Sequence, residues 1–438
     1  MNAINDQLLP AAAHGVLRFI TAGSVDDGKS TLIGRLLYDS KTVFSDQLRA
    51  LEKTRHRRPD DENVNLAMLT DGLEDEREQG ITIDVAYRYF ATPARKFIVA
   101  DAPGHEQYTR NMVTGASTAH AAIILIDAVK AADGRLLVQT VRHSTLAHLL
   151  GVRHLIVAVN KLDLLDWRED VFRRIESAYA DLANQLGIGD FTAIPVSALL
   201  GDNVVRASGR MPWYRGPTLL SHLEALDTGE DRASEPLRMP VQWVMRHNGS
   251  RTDGLRAYAG QIASGTLKVG DTVVAQPSGA AAIVKSLHTP AGPVQRAIAG
   301  TPVTVELAQE IDVSRGDWFS HESHAPIIAR RLVADMCWLD SRTLSPARKY
   351  LIKHGARLSS AKIERVLTRR DLMQLAEAPA SDGATLSMND IGCVALRTRD
   401  ALPVDCYASL PASGAFILID EASHQTVAGG MIRAASPL

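Results

Sequence analysis

Cysteine is scarce in this sequence, which has only three cysteines among 438 residues. Cys337, Cys393 and Cys406 are scattered, and an odd number without paired spacing argues against a disulfide framework or a zinc knuckle. Inert thiols in a reducing compartment are the simpler interpretation. Residues other than cysteine must therefore carry the chemistry.

Long apolar runs and a strong charge bias are also missing. The amino-terminal residues show no basic stretch followed by an apolar one, and no apolar run approaches the ~20 residues that cross a bilayer. We therefore expect a cytoplasmic protein without a membrane partner. The formal net charge of −2 gives no electrostatic reason to expect a nucleic acid partner. A chain of 438 residues is too long for one core, so about two to four domains are expected.

What the sequence does contain is a phosphate-binding loop. An apolar run over Val16–Ala22 leads into G-x-x-x-x-G-K-[ST], in the required order of strand, loop and helix start. Glycines at both ends allow the loop amides to turn toward phosphate oxygens. Lys29 adds a charge for the outer phosphates, and the Ser30 hydroxyl can bind Mg²⁺. The nucleotide-binding residues predicted here are Gly23, Ser24, Val25, Asp26, Asp27, Gly28, Lys29, Ser30 and Thr31.

Further motifs follow short apolar segments that are separated by helix-length segments. Residues 97–100, 121–127, 155–159 and 191–196 are predicted to be strands of a parallel sheet, and residues 171–186 a helix. Ligands bind beyond the carboxyl ends of such strands. The motifs that follow the strands are therefore expected to converge on one edge of the sheet.

Two segments of the sequence fit a nucleotide switch. Asp101 ends a strand and can hold Mg²⁺, and Gly104 can offer its amide to a γ-phosphate. Thr82 precedes another strand and can bind Mg²⁺, so that loss of the γ-phosphate would release the segment before it. His105 can orient the attacking water. We predict a catalytic role for His105 and metal-binding roles for Ser30, Thr82 and Asp101.

The N-K-x-D sequence at residues 160–163 predicts that the base is guanine. The Asp163 carboxylate can accept two hydrogen bonds from guanine, and adenine lacks that pair of donors. Lys161 would lie along the base plane, and a backbone amide near Ala198 can reach the guanine oxygen. GTP with Mg²⁺ is therefore the predicted ligand. The residues predicted to bind the base are Asn160, Lys161, Asp163, Ser197, Ala198 and Leu199.

The character of the sequence changes between Pro236 and Pro240, beyond which β-rich segments recur with glycine turns. We predict a nucleotide-binding domain at residues 1–235 and β-barrels at residues 236–326 and 327–438. Candidate strands of the last barrel lie at residues 331–339, 361–367, 392–397 and 414–419.

With the motifs established, the sequence resembles the translation-factor class of GTPases, the class of elongation factor Tu. The loop, the Gly80-Ile81-Thr82 segment and the motifs starting at Asp101, Asn160 and Ser197 occur in that class's order. The segment GQIASGTLKVGD resembles its second-domain barrel. The resemblance implies an α/β P-loop GTPase domain with a mostly parallel sheet, followed by two β-barrel domains.

A closer resemblance is to the large, GTP-hydrolysing subunit of bacterial sulfate adenylyltransferase. It is carried by SVDDGKSTLIGRLLYDSK, TDGLEDEREQGITIDVAYRYF and DAPGHEQYTRNMVTGAST. Asp27 stands where the ordinary translation factors usually carry His. The resemblance implies that the chain binds GTP with Mg²⁺, hydrolyses it, and works with a small catalytic subunit. That partner would make adenosine 5′-phosphosulfate and pyrophosphate from ATP and sulfate, in sulfate assimilation toward cysteine, and GTP hydrolysis would drive this unfavourable step.

Three features depart from the pattern of that family: residues 129–138, residues 246–253 and His120. They could alter partner contacts or rate without touching the nucleotide site. Some members carry an adenylylsulfate kinase with a second phosphate loop, and the sequence has no second G-x-x-x-x-G-K, so that activity is not expected. The alternative function is a translation-factor-like switch that delivers RNA or acts on the ribosome. The near-neutral charge weighs against that alternative.

Overall fold

The structure is a computed structural model that describes residues 15–40, 66, 85–104, 109–228, 232–246, 256–371 and 377–438. These residues divide into two compact units, of which the first extends to Thr228 and the second begins with Arg232. Within the described ranges, no helix is both long and apolar enough to cross a membrane.

The first unit is built on six strands: β1 (Val16–Ala22), β2 (Ala86–Ala91), β3 (Lys96–Asp101), β4 (Ala121–Asp127), β5 (His154–Asn160) and β6 (Phe191–Pro195). They form one sheet in the order β2-β3-β1-β4-β5-β6. All are parallel except β2, which runs antiparallel to β3 at the edge. Every residue of β4 is buried, as expected for a central strand covered on both faces.

In the described part of this unit, five helices accompany the sheet: α1 (Lys29–Asp39), α2 (Thr109–Ala116), α3 (Val138–Leu149), α4 (Glu169–Leu186) and α5 (Leu219–Ala225). In α4, Val171, Ile175, Tyr179 and Leu182 are buried at intervals of three or four residues, which places one apolar face toward the core. The helix ends at Gly187, whose φ of 76° is the left-handed conformation that commonly stops a helix.

The sheet brings the loops of interest to one edge. In the pairing of β1 with β3, Thr21 lies opposite Asp101, and in the pairing of β4 with β5, Asp127 lies opposite Asn160. Because these strands are parallel, the residues that follow their carboxyl ends meet at the same edge. The predicted parallel sheet and the predicted convergence of its loops are confirmed.

The second unit begins with short antiparallel strands: β7 (Met239–Pro240), β8 (Trp243–Arg246), β9 (Arg256–Gln261), β10 (Thr266–Lys268), β11 (Thr272–Gln276), β12 (Ala280–Thr289), β13 (Gly292–Val294), β14 (Arg296–Ile298), β15 (Pro302–Leu307) and β16 (Trp318–Ser320). Most join one sheet in the order β7-β16-β11-β12-β15-β9-β8, with β13 on β12, and β10 pairs with β14. This sheet surrounds a core that includes Met239, Tyr258, Val273, Val305 and Phe319.

The rest of the second unit forms another antiparallel sheet. Its strands are β17 (Ile327–Trp338), β18 (Tyr350–His354), β19 (Arg357–Arg370), β20 (Glu377–Pro379), β21 (Ile391–Val404), β22 (Ala415–Asp420) and β23 (Thr426–Pro437), with a short helix α6 (Pro411–Gly414) before β22. The order is β18-β22-β23-β17-β21-β19-β20. Because β18 also pairs with β19, six of the strands close into a barrel. The barrel encloses a core that includes Trp338, Tyr350, Leu396 and Phe416.

The predicted order of an α/β unit followed by antiparallel β structure is thus confirmed. Besides the pair β10 and β14, the second unit contains two larger sheets with separate cores. The proposed domain limits at residues 235 and 326 stay predictions.

Candidate nucleotide-binding site

The phosphate loop occupies residues 23–28, between the end of β1 and the start of α1. Gly28 has a φ of 93°, a left-handed conformation that favours glycine. A Cβ at Gly28 would also lie 2.5 Å from the side-chain nitrogen of Asn160. Both the backbone angle and the close approach therefore require glycine at this position.

Lys29 lies at the centre of the loop. Its Nζ donates hydrogen bonds to the carbonyl oxygens of Gly23 at 3.0 Å and Ser24 at 2.8 Å. Burial lowers the pKa of Lys29, and the carboxylates of Asp101, Asp27 and Asp26 oppose that shift. The loop thus wraps around a buried ammonium group, and a cation in a loop of this kind is suited to phosphate.

Asp101 and Gly104 approach the loop from the end of β3. Asp101 is buried and accepts a hydrogen bond at 3.2 Å from the hydroxyl of Thr21 on the neighbouring strand. A Cβ on Gly104 would lie only 2.5 Å from Lys29 Nζ. The motif that starts at Asp101 therefore packs directly against the phosphate loop, as its position after a strand predicted.

Helix α3 contacts Gly104 through the side chain of Gln139. The Gln139 side-chain amide lies 3.4 Å from the Gly104 carbonyl oxygen and 3.1 Å from the His143 ring. Burial, together with the nearby cations Lys29 and Arg142, lowers the pKa of His143 to about 3. His143 is therefore a neutral, buried imidazole next to the site. The sequence analysis missed both Gln139 and His143, since no motif marks them.

Asn160 joins two parts of the site. Its Nδ2 donates to the Asp27 carbonyl oxygen at 2.8 Å, and its Oδ1 accepts from the Ala198 amide at 2.9 Å. The buried Asn160 side chain thus fixes the phosphate loop and the segment after β6 relative to each other. Ser197, beside Ala198, is buried, and its hydroxyl accepts from the Leu200 amide at 3.2 Å.

Lys161 adopts a φ of 65° and caps a 3₁₀ turn over Leu162–Leu165, whose first turn contains Asp163. Lys161 Nζ donates to a carboxylate oxygen of Asp127 at 2.8 Å. Asp127 ends β4 and is buried. The sequence analysis did not identify Asp127, although its place at the end of a buried strand was a usable signal.

Asp27 faces the protein interior. One carboxylate oxygen accepts from the Ser24 amide at 2.6 Å, and the other accepts from Lys130 Nζ at 3.1 Å. Burial raises the pKa of Asp27, and its bonds to Lys130 and Ser24 oppose that shift. Lys130 was missed as a site residue, although it belongs to the segment 129–138 that departs from the family pattern.

Most of the predicted residues line one cavity of about 420 Å³. These are Val25, Asp26, Gly28, Lys29, Ser30, Thr31, Gly104, Asn160, Lys161, Asp163, Ala198 and Leu199, and Leu164 is added. The cavity lining does not include Gly23, Ser24, Asp27, Asp101 or Ser197. Thr82 and His105 lie outside the described residues. Among the described residues, there is no group of three or more His, Cys, Asp or Glu side chains that could hold a metal ion by themselves.

Two family models match parts of the chain. The model of the elongation factor Tu GTP binding domain matches residues 14–236. A second model, the GTP-eEF1A C-terminal domain-like family, matches residues 331–433. The first unit is therefore a GTP-binding domain of the elongation factor Tu type, and the predicted fold class is confirmed.

Relatives that match nearly the whole chain identify its family more closely. Sulfate adenylyltransferase subunit 1 of Chromobacterium violaceum is 48% identical over 423 residues, which cover 96% of this chain and 86% of that protein. The protein of the same name from Aeromonas hydrophila is 45% identical over 436 residues, which cover 98% of this chain and 90% of that protein. The chain belongs to the sulfate adenylyltransferase subunit 1 family. The closer of the two resemblances seen in the sequence is thereby confirmed.

Two further comparisons involve a longer relative and a solved structure of low sequence identity. The bifunctional enzyme CysN/CysC of Mycobacterium tuberculosis is 49% identical over 418 residues, which cover 95% of this chain but 67% of that protein. The GTPase-like domain of Saccharomyces cerevisiae Ski7, solved with GTP, is 19% identical, with 96% of this chain and 97% of that chain covered and a TM-score of 0.51. The similarity to Ski7 concerns the fold alone.

Proposed function

We propose that this chain is the GTPase subunit of a sulfate adenylyltransferase. It binds GTP with Mg²⁺ and hydrolyses it to GDP and phosphate. A smaller catalytic subunit converts ATP and sulfate to adenosine 5′-phosphosulfate and pyrophosphate, and GTP hydrolysis drives that step. The observation that carries the proposal is the cavity of the first unit, which residues of the phosphate loop and Asp163 line together, in a chain of this family.

The site accounts for GTP binding residue by residue. The loop amides and Lys29 hold the phosphates, and Gly104 is close enough to Lys29 for its amide to reach the outermost phosphate. Asp163, on the cavity wall, accepts two hydrogen bonds from guanine. A hydrogen-bonded site of this kind rejects adenine, because the carboxylate would lose both of its donors.

The residues present also fit Mg²⁺, which prefers oxygen donors. The Ser30 hydroxyl lines the cavity, and the buried Asp101 carboxylate lies close enough to Lys29 to affect its pKa. Ser30 and Asp101 would hold the ion, together with Thr82. When bound, Mg²⁺ neutralises charge on the phosphates. His105 orients the water that attacks the γ-phosphate.

Coupling requires that the partner binds the GTP and GDP forms with different affinity, because a ligand shifts an equilibrium only by its differential affinity for two states. The sequence motifs of Thr82 and His105, which lie outside the described residues, are the ones proposed to respond to the γ-phosphate. The translation-factor alternative receives less support, since the relatives that match nearly the whole chain are sulfate adenylyltransferase subunits.

The test is phosphosulfate formation by the purified two-subunit complex, with ATP, sulfate and Mg²⁺. GTP is expected to raise the yield of phosphosulfate, whereas its non-hydrolysable imido analogue is not. His105→Ala should keep GTP affinity but slow both hydrolysis and GTP-dependent synthesis by about a hundredfold or more. His288→Ala, at an exposed histidine of the second unit, is the control and should behave as wild type. Equal phosphosulfate yields with and without GTP would exclude the coupling, and ribosome-stimulated hydrolysis would favour the alternative.

A further inference from the structure

Lys130 lies next to the phosphate loop, although none of the nucleotide motifs contains it. Its Nζ donates to the Val25 carbonyl oxygen at 2.8 Å and to an Asp27 carboxylate oxygen at 3.1 Å. An oxygen of Asp127 lies 3.9 Å away. One ammonium group from the turn after β4 therefore contacts two residues of the loop that follows β1.

The loop needs this cation because Asp27 is buried. The Asp27 side chain is 1% exposed, and its second oxygen is committed to the Ser24 amide at 2.6 Å. A buried carboxylate without a compensating charge is strongly unfavourable. Lys29 is nearby, but its Nζ donates to the carbonyl oxygens of Gly23 and Ser24. Among the described residues, Lys130 is the cation that is hydrogen-bonded to Asp27.

The backbone of Lys130 is itself held in place. One oxygen of Asp127 accepts from the amides of Val129 at 2.9 Å and Lys130 at 3.3 Å. The other oxygen accepts from Lys161 of the base-binding motif at 2.8 Å. A chain of ion pairs thus runs from Asp27 through Lys130 and Asp127 to Lys161, so that the phosphate and base ends of the cavity share one support.

We propose that Lys130 is a positioning residue for nucleotide binding, which holds residues 24–27 in the conformation that shapes the phosphate loop for its ligand. The inference rests on the proposed GTP-binding function. A preorganised loop binds its ligand more tightly because it loses less freedom on binding. Without the ammonium, the Val25 carbonyl loses a donor, the Asp27 carboxylate loses its counter-charge, and the loop relaxes away from this conformation.

The test is Lys130→Met in the full-length chain, with affinity measured by titration of a fluorescent N-methylanthraniloyl derivative of GDP and of the GTP imido analogue. We expect both affinities to fall about ten- to a hundredfold, as for the loss of a charge-assisted contact in a buried site. For GTP hydrolysis, KM should rise while kcat at saturating GTP stays within about threefold, because the missing contact affects binding. Lys130→Arg should recover most of the affinity, since guanidinium can donate to both oxygens.

Lys96→Met is the matched control. Lys96 is exposed at the amino end of β3, whereas the site lies at the carboxyl end of that strand. This variant should bind both nucleotides as wild type does. Because Lys130→Met leaves the buried Asp27 carboxylate without its counter-charge, its thermal unfolding temperature without nucleotide is expected to fall, and the nucleotide titrations are made well below the unfolding temperatures of both variants.

A second variant tests the ion pair directly. Asp27→Asn combined with Lys130→Met removes both charges, and it should bind GDP more tightly than Lys130→Met alone, because the unpaired buried carboxylate is gone. If the wild-type chain binds both nucleotides and Lys130→Met binds them with the same affinity, this inference is overturned and the proposed function is not. A double variant that binds no better than Lys130→Met would have the same consequence. A wild-type chain that binds neither nucleotide would overturn the proposed function and this inference together.

Discussion

Gly104 is the position in the site where the smallest chemical change should have a large effect. A Cβ there would lie 2.5 Å from Lys29 Nζ, 2.9 Å from the Ser24 carbonyl carbon and 3.0 Å from the Gly23 carbonyl oxygen. Two of these neighbours are backbone atoms that cannot rotate away. Gly104→Ala must therefore displace either the phosphate loop or the turn after β3. Overpacking of this kind costs about 1–3 kcal/mol, so we expect GTP affinity and hydrolysis to fall about tenfold.

Gly189→Ala is a matched control, because a Cβ at Gly189 meets no atom within 4 Å and its φ is not positive. Nucleotide titration and steady-state GTP hydrolysis of both variants measure the effect. If Gly104→Ala bound and hydrolysed GTP like Gly189→Ala, the close packing of Gly104 on Lys29 would not matter for function.

At the scale of single residues, the motifs could be predicted and their supports could not. Residues 23–30 predict a phosphate loop because phosphate and Mg²⁺ binding requires glycine, lysine and serine at these positions. The bridge of Asn160 between Asp27 and Ala198 depends on β5 and β6 being neighbours. Likewise, Lys130 meets Asp27 only because β4 lies beside β1. Such contacts follow from strand order, which a local pattern does not specify.

At the scale of the element, buried parallel strands were the easiest to predict. The predicted strand 121–127 coincides with Ala121–Asp127, and the helix predicted at residues 171–186 starts two residues earlier, with Glu169 and Asp170 in its first turn. Acidic side chains stabilise the positive start of a helix, but they look like loop residues in a search for apolar periodicity.

The strand β23 was not predicted, and its glycines explain why. Gly429 and Gly430 lie within Thr426–Pro437 and suggest a turn in the sequence. In the structure, a Cβ on Gly430 would lie 2.2 Å from the Phe416 ring of the neighbouring strand. The glycine therefore makes room for a core aromatic ring, which sequence periodicity cannot reveal.

The short helix α5 is held by an arginine from another element. Arg95, in the turn between β2 and β3, is 1% exposed, and its Nη1 donates to the carbonyl oxygens of Leu223 at 3.2 Å and Glu224 at 3.3 Å and to that of Leu226. These are carbonyls at the carboxyl end of α5, which have no partners within the helix. Arg95→Met should therefore lower the free energy of unfolding of the first unit by about 2–4 kcal/mol.

Urea denaturation followed by far-ultraviolet circular dichroism measures this change. Lys96→Met alters the adjacent, exposed residue and should change the unfolding free energy by less than about 0.5 kcal/mol. Equal midpoints for the two variants would show that the carbonyls of α5 do not depend on Arg95.

For the molecule as a whole, the residues proposed to bind nucleotide are concentrated in one part of the chain. All of the described residues predicted to bind nucleotide belong to the first unit. The second unit is built mainly from two larger β-sheets with separate cores. Charged pairs connect the segments on which these sheets are built. Arg357 forms an ion pair with Asp317, and the Trp318 and His354 rings lie 5.5 Å apart between centroids. Sequence composition indicated β structure here but could not identify these pairs, because their members lie far apart in the chain.

Another of these connections joins Arg238, just before β7, to Asp405, just after β21. The guanidinium donates two hydrogen bonds to the carboxylate, at 2.7 and 2.9 Å, and a further one to the His324 carbonyl oxygen at 2.8 Å. The Arg238 side chain is 2% exposed and the Asp405 side chain 15% exposed. Removing one member leaves a buried charge without its partner, which costs about 3–5 kcal/mol.

Asp405→Asn should therefore destabilise the second unit by about 3 kcal/mol, at the lower end of that range because Asp405 keeps some contact with water. The double variant Arg238→Met with Asp405→Leu should be less destabilised than the sum of its single variants, since it removes both charges and fills the space with apolar atoms. Guanidinium denaturation followed by tryptophan fluorescence reports on this unit through the buried Trp318 and Trp338. If the effects of the two single substitutions simply added, Arg238 and Asp405 would act independently, and the two sheets would be held together by their other contacts.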